Sequence, residues 1–128
     1  MDKISVVMVS GSLERLQAAA MVASVAAVSG HEVLVFLSMN ALPWFVKGTV
    51  EQPPVEGMVG SLMQQKNVPG FKMLFEQAVD LGNARIYPCS MAMDVLDLEP
   101  PQLEGFLGEP TGLTKFLSEI QGSQIFTF

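Results

Sequence analysis

Two apolar runs, separated by a long helical pattern, constrain the fold of this chain more than any other feature. The runs Ile4–Val9 (ISVVMV) and Glu32–Ser38 (EVLVFLS) are nearly continuous rather than alternating, which is typical of strands buried on both faces. The segment between them, Leu13–Ser29, is apolar almost all round and predicts a buried helix with Ser12 as N-cap and Gly30 as the left-handed residue at its end. A crossover of this length makes the two strands parallel and its connection right-handed.

The rest of the chain continues the alternation of strands and helices. After the segment 48–68, which is the least regular in its pattern, the sequence predicts helix 69–81, strand 84–87, helix 91–98, strand 103–107, helix 111–121 and strand 123–128. Pro69 and Thr111 are expected to begin their helices. We therefore predict one α/β domain over residues 1–128, a three-layer α/β/α arrangement around a five-stranded, mostly parallel sheet.

Composition limits the partners that this chain can have. Hydrophobic residues make up 49% and charged residues only 16%, so we expect part of the surface to be hidden in a homo-oligomer. The net charge is −6, and residues 94–109 carry five acids without any Lys or Arg. This argues against nucleic acid and anionic membranes as partners. The longest weakly polar run, 16–28, is 13 residues, short of the ~20 that span a bilayer.

Cysteine usage favours a cytoplasmic protein. Cys89 is the single cysteine of the chain, so no internal disulfide can form, and a reducing compartment fits best. The N-terminal residues also lack the pattern of a secretory signal.

Cys89 is the candidate for chemistry because it follows the third predicted strand and precedes a helix. Unsatisfied N–H groups and the positive end of the helix dipole stabilise a thiolate there. The competing interpretation is a small buried hydrophobe, which is how free cysteines usually behave. His31 is predicted at the opposite edge of the sheet, which argues against a Cys–His pair. What remains is a thiolate that accepts sulfur as a persulfide or is reversibly oxidised.

No metal or cofactor is expected. Met91 and Met93 have a spacing relative to Cys89 that could hold Cu(I), but nine methionines in the chain make packing the preferred interpretation.

The turn Ser10–Ser12 supports an alternative function. A strand-to-helix turn of this kind can cradle an anion, although it lacks the glycine-rich dinucleotide pattern and the lysine of a phosphate-binding loop. In this alternative the chain is a non-enzymatic anion- or nucleotide-binding module with a structural Cys89. We expect the turn to lie beside the Cys89 loop.

The run Pro88–Leu96 (PCSMAMDVL) resembles the signature of the DsrE/DsrF/DsrH-like family of sulfur-relay proteins, in its peroxiredoxin-like branch. The opening strand and Ser-Gly turn, the segment ending near Leu42–Trp44, and the closing residues 114–128 resemble that branch too. Asp97 departs from the pattern, which has a small residue there, and the middle loop lacks a second cysteine.

The resemblance implies a five-stranded subunit in a trimer or similar homo-oligomer. It also implies that Cys89 carries persulfide or thiosulfonate sulfur in the cytoplasm, as a sulfur carrier or a possible sulfurtransferase. Its partners are then other sulfur-relay proteins.

Overall fold

The sheet has four parallel strands in the computed structural model, which describes residues 2–49, 52–66 and 68–128. The strand order is β3-β2-β1-β4, and β1 pairs with both β2 and β4. The strands are β1 Lys3–Met8, β2 Glu32–Leu37, β3 Arg85–Pro88 and β4 Gln124–Thr127. The predicted parallel α/β fold is therefore confirmed, with one strand fewer than expected.

The helices cover both faces of this sheet. They are α1 Leu13–Val28, α2 Met58–Gln65, α3 Phe71–Gly82, α4 Ser90–Val95 and α5 Leu113–Glu119, with 3₁₀ helices at Met39–Phe45 and Pro100–Gln102. Strands β1, β2 and β3 are neighbours in chain order, so each step moves the chain the same way across the sheet. Right-handed crossovers then place α1 and α3 on the same face, where they pack together. The return to β4 runs the other way and places α5 on the opposite face. There Phe116 stacks on Phe36, with ring centroids 4.9 Å apart, and meets the edge of Tyr87 at 6.3 Å.

The closeness of α1 and α3 depends on small residues. Ala27 of α1 lies so near Gly82 of α3 that a Cβ at position 82 would fall 2.5 Å from the Cβ of Ala27. Ser12 caps α1 as predicted, since its hydroxyl accepts the N–H of Arg15 at 3.4 Å. None of the helices in the described part of the chain is long and apolar enough to span a membrane.

The predicted strand 103–107 is wrong. Leu103 makes one isolated antiparallel bridge with Val46, and no strand forms between residues 99 and 110. This stretch contains three prolines and two glycines. Proline cannot donate to a ladder and glycine weakens one, so the apolar residues here pack singly into the core.

Two of the predicted helix starts are also wrong. Helix α3 begins at Phe71, two residues after Pro69. Thr111 does not cap α5: Gly112 holds the N-cap position, and the Thr111 hydroxyl donates to the carbonyl of Glu109 at 2.9 Å. Thr111 is thus used by the preceding loop rather than by the helix.

Helix α5 and its C-cap residue bury only some of their apolar side chains. Phe116 and Ile120 are buried in the core, whereas Leu113 and Leu117 are exposed. This helix therefore presents apolar side chains outward as well as inward.

Two carboxylates fasten the middle segment, residues 52–66, to the start of α1. Glu14 accepts the backbone N–H groups of Glu56 and Gly57, both at 2.8 Å. Gly57 is the N-cap of α2 and has no side chain to cap it, so Glu14 supplies the cap from another helix. The carboxylate of Glu56 in turn accepts from Arg15 Nε at 2.9 Å.

These hydrogen bonds, led by the one from Glu56, lower the pKa of Glu14 from its ordinary value of 4.5. A lowered folded pKa means that the stabilisation is present above about pH 4.5 and is lost as the pH falls through the folded pKa. We expect Glu14→Gln to loosen the middle segment at neutral pH, because N–H bonds to a neutral amide are roughly half as strong as those to a carboxylate. Faster hydrogen exchange at Glu56 and Gly57 would report this loosening.

Acid should reduce the protection of both amides in the wild-type chain and have a smaller effect in the Glu14→Gln variant, which has lost that carboxylate. The exposed acid Glu76 on α3 provides the control, and Glu76→Gln should leave both amides as protected as before. Equal protection of both amides in wild type and Glu14→Gln would contradict this account of the cap.

Candidate functional site

Cys89 lies at the carboxyl edge of the sheet, between β3 and α4, where the sequence predicts it. Its backbone N–H donates to the carbonyl of Leu37 at the end of β2, at 2.8 Å. Its own carbonyl accepts the N–H of Met93 at 3.0 Å, which forms the first turn of α4. Cys89 is therefore fixed from both sides as the N-cap residue of α4.

The Cys89 sulfur has one backbone donor and almost no contact with solvent. Sγ accepts the N–H of Ala92 at 3.5 Å, a bond to a helix-start amide that the sequence predicts for Cys89. Cys89 is nonetheless only 4% exposed. The thiol is therefore closed to solvent in this structure.

A short extended segment, residues 108–111, lies against the Cys89 turn, and we call it the strap. Thr111 donates its N–H to the carbonyl of Pro88 at 2.9 Å and accepts the N–H of Ser90 at 3.1 Å. Both peptide neighbours of Cys89 are thus bonded to one strap residue, and Cys89 forms a parallel bridge with Thr111. The strap was not predicted from the sequence, because the extended segment was expected at residues 103–107, a few residues earlier.

Asp97 ends α4, and its backbone explains the departure from the family pattern. It is left-handed, with φ +54, and the N–H of Leu98 closes the helix on the carbonyl of Met93 at 2.9 Å. This position favours small residues, above all glycine, and tolerates aspartate. Asp94 and Asp97 are both exposed to solvent.

The two methionines beside Cys89 do not converge on a shared site. Met93 is buried at 3% exposure, whereas Met91 is 49% exposed. In the described residues, no group of three His, Cys, Asp or Glu side chains could hold a metal ion.

His31 stands at the amino edge of the sheet, where its ring contacts the carbonyl of Asp2 at 3.3 Å. Cys89 is at the carboxyl edge, so the two are separated by about the length of β2, roughly 20 Å for six residues. They do not form a catalytic pair.

The Ser10–Ser12 turn borders a cleft of about 440 Å³, but several of the groups that an anion would use are engaged. Leu13 donates its N–H to the carbonyl of Pro54 at 2.8 Å, and the Ser12 hydroxyl caps Arg15 while donating to the carboxylate of Glu56. A carboxylate at this helix start repels a second anion. These contacts weigh against the anion-binding alternative at this turn.

The turn and the Cys89 loop do not adjoin directly. Strand β2 lies between β1 and β3. At its carboxyl end, Ser38 donates to the carbonyl of Met8, the last residue of β1, at 3.0 Å, and the carbonyl of Leu37 accepts from Cys89. The expectation that they are neighbours is wrong, because the strand order separates them.

Comparison with known proteins identifies related sequences and folds. A model of the DsrE/DsrF/DrsH-like family matches residues 51–128, which include Cys89 and the strap. The fold is similar to that of the crystal structure of the ychN protein from E. coli, with a TM-score of 0.61 and 17% sequence identity over 100% of both chains. At this identity the likeness concerns the fold alone. No curated protein matches the chain.

Proposed function

The chain belongs to the DsrE/DsrF/DrsH-like family, and from this premise we propose that it is a sulfur carrier that holds persulfide or thiosulfonate sulfur on Cys89. The observation that carries the proposal is the contact between Cys89 Sγ and the N–H of Ala92, 3.5 Å apart. It places the single thiol of the chain at a helix start, on the edge of a parallel sheet where such folds carry out their chemistry.

The proposed chemistry is an exchange between sulfur atoms. The Cys89 thiolate attacks the outer sulfur of a donor persulfide or polysulfide, and a new bond forms between Sγ and that sulfur. The sulfur–sulfur bond of the donor breaks, and its electron pair leaves with the donor thiolate. With tetrathionate as donor, thiosulfate leaves and a thiosulfonate unit stays on Sγ. With either donor the thiol proton goes to water, and neither exchange needs an outside oxidant.

The N–H of Ala92 serves this exchange in both directions. A backbone donor stabilises negative charge on Sγ when the thiolate forms. It does so again when an acceptor attacks the outer sulfur and the Cys89 thiolate is the leaving group. No side-chain base is required, which is consistent with the distant position of His31.

We also propose that the chain works as a homo-oligomer, a trimer or similar, in the cytoplasm, and exchanges sulfur with other sulfur-relay proteins. Support comes from the apolar side chains that a single subunit leaves exposed. Those on α1, α2, α5 and β4 include Met21, Val25, Val28, Met58, Val59, Leu113, Leu117 and Ile125. Apolar surface on several elements is what subunit contacts bury.

Sulfur release to cyanide tests the carrier role. We expect native protein that has been incubated with polysulfide and desalted to release about one thiocyanate per chain, because cyanide removes the outer sulfur of a persulfide. Protein that has not met polysulfide supplies the control and should release none. Absence of thiocyanate from the treated native chain would remove the proposal.

A further inference from the structure

We propose that the strap, residues 108–111, is a gate that opens to admit the sulfur donor to Cys89 and closes over the loaded sulfur. This inference rests on the proposed function and concerns the regulation of the same site. It arises from a conflict between the chemistry and the closed geometry. An incoming donor must reach Sγ along the bond that it will form, yet Cys89 is almost fully buried.

The other neighbours of Cys89 are poor candidates for movement. Leu37 belongs to a central strand and is completely buried, and Ala92 and Met93 of α4 are buried in the core. Displacing any of them exposes core surface, whereas the strap buries a single side chain, that of Thr111.

The strap can leave at much lower cost. Gly108, Glu109 and Pro110 are exposed, and main-chain bonds attach the strap to the β3 edge: Gly108 N–H to Ile86 at 2.7 Å, and the two bonds of Thr111. Thr111 is the one buried residue of the strap, and a segment that buries few side chains opens at the low-energy end of the range for a folded protein.

The surroundings provide space and hinges for the movement. A cleft of about 630 Å³ borders the strap and is lined by three of its residues, by Pro88 and by the loop 100–107. Gly108 and Gly112 lie at the two ends of the strap, and residues of this kind often absorb the backbone changes of a hinge. At Gly108 the small residue also allows close approach to Tyr87, since a Cβ there would lie 3.3 Å from its ring.

The rate at which an aromatic disulfide reagent labels native Cys89 tests the gate. Thr111→Pro removes the N–H that binds Pro88, and we expect labelling to become roughly tenfold faster, the factor associated with one main-chain hydrogen bond. Because Thr111 is buried and this variant could fail to fold, Pro110→Gly is the second variant. It changes an exposed residue, loosens the strap and should also speed labelling.

Pro101→Gly is the matched control, since Pro101 is an exposed proline outside the strap, and its labelling rate should equal that of wild type. Wild-type labelling rates in a folded strap variant would overturn the gate. Sulfur loading by polysulfide is measured in parallel. Faster labelling without loading in any variant supports the gate and removes the carrier role, whereas loading with unchanged labelling removes the gate alone.

Discussion

Phe45→Ala is expected to lower the free energy of unfolding by about 3–5 kcal/mol, the range for truncating a fully buried phenylalanine. Phe45 has no exposed surface. Its ring makes edge contacts with Phe71, Phe75 and Phe106 at centroid distances of 5.8, 5.6 and 6.3 Å. The decrease in the free energy of unfolding includes the cost of the cavity that the ring leaves and the loss of these aromatic contacts.

Thermal and denaturant unfolding would measure this loss, which corresponds to a fall in Tm on the order of 10–20 °C. The control is Phe126→Ala, because Phe126 lies on the edge strand β4 and is 38% exposed. We expect a smaller loss there, about 1 kcal/mol. A similar loss in both variants would show that Phe45 is not the centre of an aromatic cluster.

Cys89→Ser is expected to abolish sulfur uptake completely and to leave the fold intact. Serine is a preferred N-cap, so its hydroxyl can accept the N–H of Ala92 in place of Sγ. It cannot form a persulfide. The cyanide assay should therefore give no thiocyanate, while the Tm stays at or above that of wild type.

Cys89→Ala separates the structural role of the side chain from its chemical role. It too should carry no sulfur, but it also loses the cap of α4 and should be less stable by about 1 kcal/mol. Thiocyanate release from the serine variant would show that sulfur binds elsewhere, and equal stability of the two variants would remove the capping role.

The parallel architecture could be predicted because its signal is local. The apolar runs at the start of the chain fix β1 and β2, and the capping residue Ser12 and left-handed Gly30, with φ +97, bound the helix between them.

The errors concern interactions between distant parts of the chain. Whether residues 103–111 form a strand depends on which of their N–H groups can face the β3 edge. Gly108 and Thr111 donate there, whereas the N–H groups of Leu103, Glu104 and Leu107 bond to other carbonyls and Pro110 has no N–H. The capping of α2 by Glu14 likewise joins two segments about forty residues apart, and no local pattern reports it.

The candidate site shows the same division. The place of Cys89 at the start of a helix follows from the residues around it. Its burial does not follow from them, because the turn also bonds to Thr111 of the strap, about twenty residues later in the chain. The strand order, which separates Cys89 from the Ser10–Ser12 turn, was equally beyond local patterns.

The intact mass of the native wild-type chain after incubation with tetrathionate shows whether Cys89 takes up sulfur in the folded protein. The account predicts a gain of one thiosulfonate unit, removed by dithiothreitol. Chain unfolded in urea serves as the reference in which the thiol is freely exposed. A native mass that stays unchanged while the unfolded chain gains the unit would contradict the claim, because Cys89 would then be a buried structural residue.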